Sequence, residues 1–367
     1  MSTGEEPPSG PDLTGPVLVV GSGLIGASVG LALRRQRITV YLRDQDPQVS
    51  AVAASRGAGD DREPAEAPQL VVVCVPPTRV AEAVIEALHT WPRSVVTDVS
   101  SIKAGPFVEV VAGLGQDAEP LRRYVGGHPM AGRERSGPLA ASGSLFDGRT
   151  WAVTPHEQVD PAAVAVVESL VRLCGANLLT MSPADHDTAV ARISHLPHVL
   201  AVLAAARLEG APPDQMVLSG QGLRDVTRVA AGDPGLWRQI LRANASPVRD
   251  LLVQVKDDLD ELIAQLEKTE PDVDGLLRRG ATGTRAIPGK HGGPARSLDT
   301  LYVVVPDQPG ELGRLFAAAG DAGVNIEDVR IDHDLGRPSG LLELAVPESA
   351  GPTLAAALSE RGWVVHR

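Results

Sequence analysis

Pro16-Val-Leu-Val-Val20-Gly21-Ser-Gly23-Leu-Ile-Gly26 decides the fold. A short apolar run meets a glycine turn, and an uncharged helical stretch follows to Arg35. Gly21 lets the chain turn tightly, Gly23 lets backbone approach a pyrophosphate, and Gly26 lets helix and strand pack closely. The first helical turn, with Leu24 and Ile25, then offers free N–H groups to the phosphates. A second strand, Ile38-Thr-Val-Tyr-Leu42, ends at Arg43-Asp44. An acid about 20 residues past the glycines is placed to hydrogen-bond ribose hydroxyls. Asp44 repels a 2′-phosphate, so NAD fits better than NADP, although Arg43 beside it pulls the other way.

Outward from this stretch, the uncharged run Val17 to Leu33 needs a membrane check. Its upstream flank (Glu5, Glu6, Asp12) is acidic where a signal peptide wants basic residues, and it is short and glycine-punctuated for a span. It reads as a buried strand plus helix in a cytoplasmic protein with no membrane partner. The chain has 46 acidic and 34 basic residues, a net charge of −12, which argues against a nucleic-acid partner. Two cysteines exclude a disulfide framework and point to a reducing compartment. At 367 residues, two or three domains are expected.

Residues 1–14 read as a disordered tail of Ser, Gly, Pro and acids. From 15 to 181 strands alternate with helices: Gln69–Val75, Ser94–Thr97, Arg123–Gly126, Thr150–Val153 and Ala176–Met181 follow the first two strands. That is an α/β doubly wound, mostly parallel sheet of Rossmann type. From 182 to 279 only helix is expected: a long segment from Ala184 to Leu208 broken by Pro197, then one opened by Gly232-Asp233-Pro234 and broken at Pro247, with Ser246 as a cap. Its apolar faces point to a homodimer interface, or to packing within the subunit. Residues 280–297 read as a flexible linker. Residues 298–367 follow the β-α-β-β-α-β order of a ferredoxin-like domain.

Three segments hold residue types that chemistry uses. Thr97-Asp-Val-Ser-Ser-Ile-Lys103 and Gly126-Gly-His128-Pro-Met-Ala-Gly132-Arg-Glu134 each lie past a strand, where open parallel sheets bind ligands. The third is dispersed: His186, His195, His198, Arg224-Asp225-Val-Thr-Arg228 and Trp237. His128 is either a general base or a satisfied loop residue. His195 and His198 have helical spacing for a metal pair, but no third ligand is evident, so no metal is expected. Ser101 lacks the GxSxG surroundings of an activated nucleophile. Arg228 either clamps a substrate carboxylate or pairs with an acid such as Asp225.

Taken in order, the glycine motif, Asp98-x-x-Ser-x-Lys103, Gly126-x-His-Pro-Met-Ala-Gly-x-Glu134, Ser194-His-Leu-Pro-His198 and Asp225-x-x-Arg228…Trp237 resemble the prephenate/arogenate dehydrogenase family of tyrosine biosynthesis. The resemblance implies NAD-dependent oxidation of the ring alcohol of prephenate, or of its amino analogue arogenate, with loss of CO₂. It implies His128 as the catalytic base and Ser101 as the residue that hydrogen-bonds to it. It also implies Arg228 as the carboxylate grip, His198 as the mark of prephenate users, Glu134 and Asp225 as acids near the pocket's entrance, and Trp237 as an aromatic beside Arg228. Arg133, Arg135, Arg228 and Lys103 would supply positive charge for a dianion. Where the family commonly has Gly before the motif Ser, this chain has Ser100, whose side chain would tighten the nicotinamide pocket.

The last 70 residues resemble an ACT domain, an amino-acid-sensing module that pairs and binds its effector at the interface. Asp307, Pro309, Gly310 and Leu312 match its first strand-to-helix turn, and Asn325 and Ile326 its second strand. Tyrosine is the effector this implies. Two other readings compete: a dehydrogenase of small β-hydroxy acids on a similar scaffold, and a non-enzymatic amino-acid-responsive protein.

Overall fold

The computed structural model describes residues 12–132, 135–287, 297–332 and 339–367. The chain folds into two compact units: residues to Leu218 with Leu223–Leu259, and Ser219–Gly222 with Asp260–Arg367.

The first unit opens as the glycine stretch predicts. β1 (Val17–Val20) leads into α1 (Leu24–Arg35), then β2 (Val40–Arg43), α2 (Pro47–Ser55), β3 (Leu70–Val73), α3 (Val80–Thr90), β4 (Val95–Asp98) and α4 (Ala104–Leu114). β5 (Tyr124–Pro129), β6 (Thr150–Thr154), α5 (Pro161–Leu173) and β7 (Asn177–Thr180) complete a seven-stranded sheet of order β2-β1-β3-β4-β5-β6-β7. All neighbours run parallel except β5 and β6. Side chains alternate across the strands, so Val17, Val19, Leu70 and Val72 fill one core while Leu18, Val71 and Val73 fill the other. The run Val17 to Leu33 is thus the centre of a covered sheet. The chain leaves β1 for β2 on one side and for β3 on the other, so the glycine turn sits at the switch point where such sheets bind ligands.

Two helices missing from the pattern reading occur here. α2 is announced by Asp46-Pro47, the Asp46 carboxylate accepting from the Gln48 amide at 2.9 Å. The same signature, an acid or Ser before Pro, starts α5 at Asp160-Pro161. α4 follows the Ser100-Ser101 turn without a capping side chain of its own. The expected tail is shorter than 14 residues: Leu13 is buried, and Gln69 bonds the Thr14 amide and the Asp12 carbonyl.

The helical region begins with α6 (Pro183–Val190), a π-helical turn over Ala191–His195, and α7 (Leu196–Ala206). Pro197 therefore does not break the helix. It sits at the start of α7, where its missing N–H is tolerated, and the widened turn before it absorbs the mismatch. This stretch, Pro183–Ala206, is long and apolar enough to cross a membrane by length and composition alone, but α6 packs on β6 and α4, and the stretch carries His186, Asp187, His195 and His198, all buried. α8 (Pro213–Met216), α9 (Gln221–Thr227), α10 (Pro234–Ala243) and α11 (Ala245–Leu266) follow. The break after α10 falls at Asn244 and not at Pro247, because Pro247 fits the first turn of α11 and Asn244 turns inward to polar partners. Ser246 lies inside that helix and does not cap it.

In the second unit, α12 (Asp274–Arg285) takes residues 280–285 out of the expected linker, its Arg278 and Asp274 pairing four residues apart. Residues 288–296 of that linker lie outside the described residues. β8 (Leu298–Pro306), α13 (Glu311–Asp321), β9 (Asp328–Asp332), β10 (Ser339–Pro347), α14 (Gly351–Glu360) and β11 (Val364–His366) form an antiparallel sheet of order β11-β8-β10-β9 over its own core. Gly310, at φ +92°, makes the turn into α13, with Asp307 and Pro309 before it and Leu312 in its first turn. Asn325 and Ile326 precede β9 and are not part of it; Asn325 bonds Glu327 and Ile326 packs on the core. Pro306 pairs with Ser339 and Asp328 with Ala345, so the two expected effector stretches lie at opposite ends of the sheet. At strand rise they are about 20 Å apart, and one copy does not join them.

Candidate active site

The glycine loop is built as its residue types require. Gly21 has φ +94°, and a Cβ there would run into the Cys74 carbonyl at the end of β3. A Cβ on Gly26 would strike the Gly21 carbonyl. Gly23 differs: its Cβ would meet open space, so what constrains it is a group the loop approaches. No side chain caps α1, which leaves its first amides directed at that space. These features fit a dinucleotide's pyrophosphate. Asp44 lies beside the loop, Oδ2 accepting from the Ser22 amide at 2.7 Å and Oδ1 from that of Asp46 at 3.1 Å. Arg43 is turned away to Glu63 at 2.7 Å and is within 3.9 Å of Glu86. The cation that weakened the preference for NAD is thus already paired.

At the same sheet edge, β4 ends in Asp98, which is fully buried. Its carboxylate takes the Lys103 ammonium, the Ser100 amide (2.8 Å) and the Tyr124 hydroxyl (2.8 Å). Lys103 also donates to the Gly127 carbonyl at 2.6 Å. Burial holds the Lys103 pKa below its ordinary value, against the pull of Asp98, and burial with Asp98 drives that of Tyr124 well up. Lys103 therefore does not serve as pocket charge; it is consumed in fastening β4 to β5. Ser100 does not reach into the nicotinamide pocket either, because its hydroxyl donates to the Ile102 carbonyl at 2.7 Å and closes the turn.

His128 lies within β5, paired opposite Ala152 of β6, and not past the strand as expected. Its Nδ1 is 2.9 Å from His186 Nε2, and His186 Nδ1 is 2.8 Å from Asp187 Oδ1. Ser101 is half-buried on the turn after β4, and His128 Nδ1 is engaged by His186. Burial first, then His186, Lys103 and His195, hold the His128 pKa well below its ordinary value. The imidazole is neutral at neutral pH and able to accept a proton.

A second group adjoins the first. His198 stacks on Trp237 with centroids 3.4 Å apart and planes at 7°, and His195 meets the same indole edge-on. Gly232 makes room for that stack: a Cβ there would crowd Trp237 and His198. Asn244 donates to the Asp187 carbonyl at 2.8 Å and lies 3.1 Å from His195 Nδ1, which links the two groups. Burial pulls His195 down to about 4 and lowers His198. Trp237 sits on His198, and Arg228 is exposed on the 3-10 turn Arg228–Ala231, which packs against α7. Asp225 is exposed one turn earlier. Arg133 and Glu134 lie outside the described residues. His195 and His198 are committed to Asn244 and Trp237, and among the described residues no cluster of three His, Cys, Asp or Glu could hold a metal.

Sequence reasoning missed Asp187, Asn244 and the part played by His186. The adjacent pair His186-Asp187 at the head of a Ser-Pro-started helix was the only signal for His186 and Asp187, and nothing along the chain marked Asn244.

Residues 29–180 match the family described as prephenate dehydrogenase, nucleotide-binding domain, and 182–279 match prephenate dehydrogenase, dimerization domain. The Streptomyces niveus protein named Probable prephenate dehydrogenase NovF is 36% identical, over 94% of this chain and 98% of its own. The crystal structure of prephenate dehydrogenase from Aquifex aeolicus with hydroxyphenyl propionate and NAD⁺ is 27% identical, with a TM-score of 0.64 over 73% of this chain and 96% of its own. Synechocystis arogenate dehydrogenase is 26% identical, with a TM-score of 0.62 over 73% and 98%.

Proposed function

The chain belongs to the prephenate dehydrogenase family, and from that premise we propose that it converts prephenate to 4-hydroxyphenylpyruvate with NAD. The observation that carries this reading is His128: a neutral imidazole with Nδ1 engaged and Nε2 left for the reactant, at the sheet edge that bears the dinucleotide loop. The Gly21–Gly26 loop and Asp44 would hold NAD, which when bound would supply a hydride acceptor for the ring carbon. His128 Nε2 takes the hydroxyl proton as the C–O bond becomes a carbonyl. The ring carboxylate then leaves as CO₂, its electron pair aromatises the ring, and the proton returns to the phenolate oxygen. Arg228 grips a carboxylate of the dianion, His198 on its Trp237 platform reads the side chain as an uncharged partner, and Asp225 flanks the entrance. Ser101, on the turn after β4, contacts the substrate in this reading.

The helical region, whose family description is a dimerization domain, carries exposed Leu203, Val226, Leu236 and Val253, which supports a homodimer. The β-α-β-β-α-β unit acts as an ACT-like sensor of tyrosine. With Asp307–Leu312 and Asn325–Ile326 at opposite sheet ends, its effector site would draw on two copies. Two free thiols suit a cytoplasmic setting.

The test is NADH formation by purified protein with prephenate or arogenate, with and without tyrosine. Faster turnover of prephenate, inhibited by tyrosine, supports the whole reading. Preference for arogenate keeps the mechanism and overturns the part given to His198. No turnover with either, with NAD or NADP, returns the small hydroxy-acid and non-enzymatic readings. Calorimetry without tyrosine, phenylalanine or tryptophan binding removes the sensing role.

A further inference from the structure

His186 and Asp187 are both almost wholly buried, yet neither bears on the cofactor loop. Asp187 Oδ1 accepts from the Lys103 amide at 2.8 Å, and Oδ2 from the Ala104 amide at 2.9 Å, at the start of α4. The carboxylate is thus clamped in place, with Oδ1 also facing His186 Nδ1 at 2.8 Å. An acceptor of this kind requires the hydrogen on His186 Nδ1. With a neutral His186 its Nε2 is a lone pair, and the nitrogen 2.9 Å away, His128 Nδ1, carries the next hydrogen. The lone pair of His128 is left on Nε2. The other tautomer would put a hydrogen where a base needs an acceptor.

We propose that His186, oriented by Asp187, is a positioning residue that fixes His128 in the Nδ1–H tautomer. The proposal rests on the reading of His128 as the base. The groups packed around His128 leave it no equivalent partner: Lys103 from the start of α4 is spent on Asp98 and Gly127, and His195 from the π-turn is spent on Asn244. Gln at position 186 preserves the polarity of the relay, because its amide donates to Asp187 through nitrogen and accepts from His128 through oxygen. Leu preserves neither.

The experiment compares His186→Leu, His186→Gln and His128→Asn with the full-length wild type. It reads kcat and KM for prephenate with NAD, NAD affinity, and the His128 tautomer by ¹⁵N–¹H correlation. We expect His186→Leu to lower kcat about 10²-fold, within the range for loss of general-base catalysis, with KM and NAD affinity within about twofold. His186→Gln should recover at least about tenfold of that loss. The wild-type spectrum should show His128 protonated at Nδ1. A wild-type His128 protonated at Nε2 overturns the proposal, as does His186→Leu with unchanged kcat when His128→Asn is inactive. If His128→Asn itself stays active, the base assignment fails as well, and the two failures are told apart. If His186→Leu does not fold, the wild-type tautomer and the Gln variant still decide.

Discussion

The proposed base, His128, owes its readiness to accept a proton to its surroundings more than to its own chemistry. A free imidazole near its ordinary pKa is partly protonated at neutral pH, whereas burial among His186, Lys103 and His195 keeps this one neutral. We expect His128→Asn to lower kcat by roughly 10² to 10⁴ while NAD binding, measured by titration, survives. Unchanged kcat would remove it from the chemistry. Arg228 belongs to a different task. If it holds a carboxylate in ground and transition state alike, Arg228→Ala raises KM and leaves kcat near wild type. A wild-type KM places the clamp elsewhere. Read singly from sequence, a histidine after a strand is more often a satisfied loop residue than a base. What separates them is a partner 58 residues away in the chain, His186, which no spacing rule connects to His128.

At the scale of elements, the site is tied together by bonds between helices and strand ends. Asp98 on β4, Tyr124 on β5 and Lys103 before α4 form a buried charged knot that also holds the Gly127 carbonyl, one residue from His128. Removing one member of such a pair strands the other in a dry interior. Lys103→Met is expected to cost about 3–5 kcal/mol by urea denaturation, more than loss of an exposed pair would. A cost under about 1 kcal/mol would show that Asp98 is satisfied without the ammonium. Helix starts marked by Asp-Pro or Ser-Pro were legible at Asp160, Ser182 and Asp233, while the same signature at Asp46, which opens α2, went unread. The breaks were not, because Pro197 and Pro247 each fall where a helix tolerates proline, and the real interruption at Asn244 is set by its bonds to Asp187 and His195.

For the molecule as a whole, burying several neutral histidines links stability to pH. In the folded chain His195 refuses a proton until about 4, while the unfolded residue takes one near 6.5; His128 and His198 are shifted the same way by burial. The unfolded state therefore binds more protons between those limits, and stability present above about 6.5 is lost as pH falls towards 4. Thermal melts from pH 7.5 downward, at roughly half-unit steps, should show Tm falling in this window, and His195→Gln should flatten the fall. A Tm independent of pH there would mean that the histidines take up protons equally in the folded and unfolded states.

The sequence by itself determined the doubly wound domain, its glycine loop, the order of the chemical residues and the βαββαβ tail. Those depend on local pattern: apolar period, turn residues, and motifs read along a few residues of chain. Only tertiary structure decided which of the candidates act together. It joined His128 to His186 and Asp187, assigned Lys103 to Asp98, paired Arg43 with Glu63, and separated the two expected effector stretches to opposite ends of one sheet. Hydrogen bonds and desolvation act through space between elements far apart in sequence, and both depend on burial that no single segment contains.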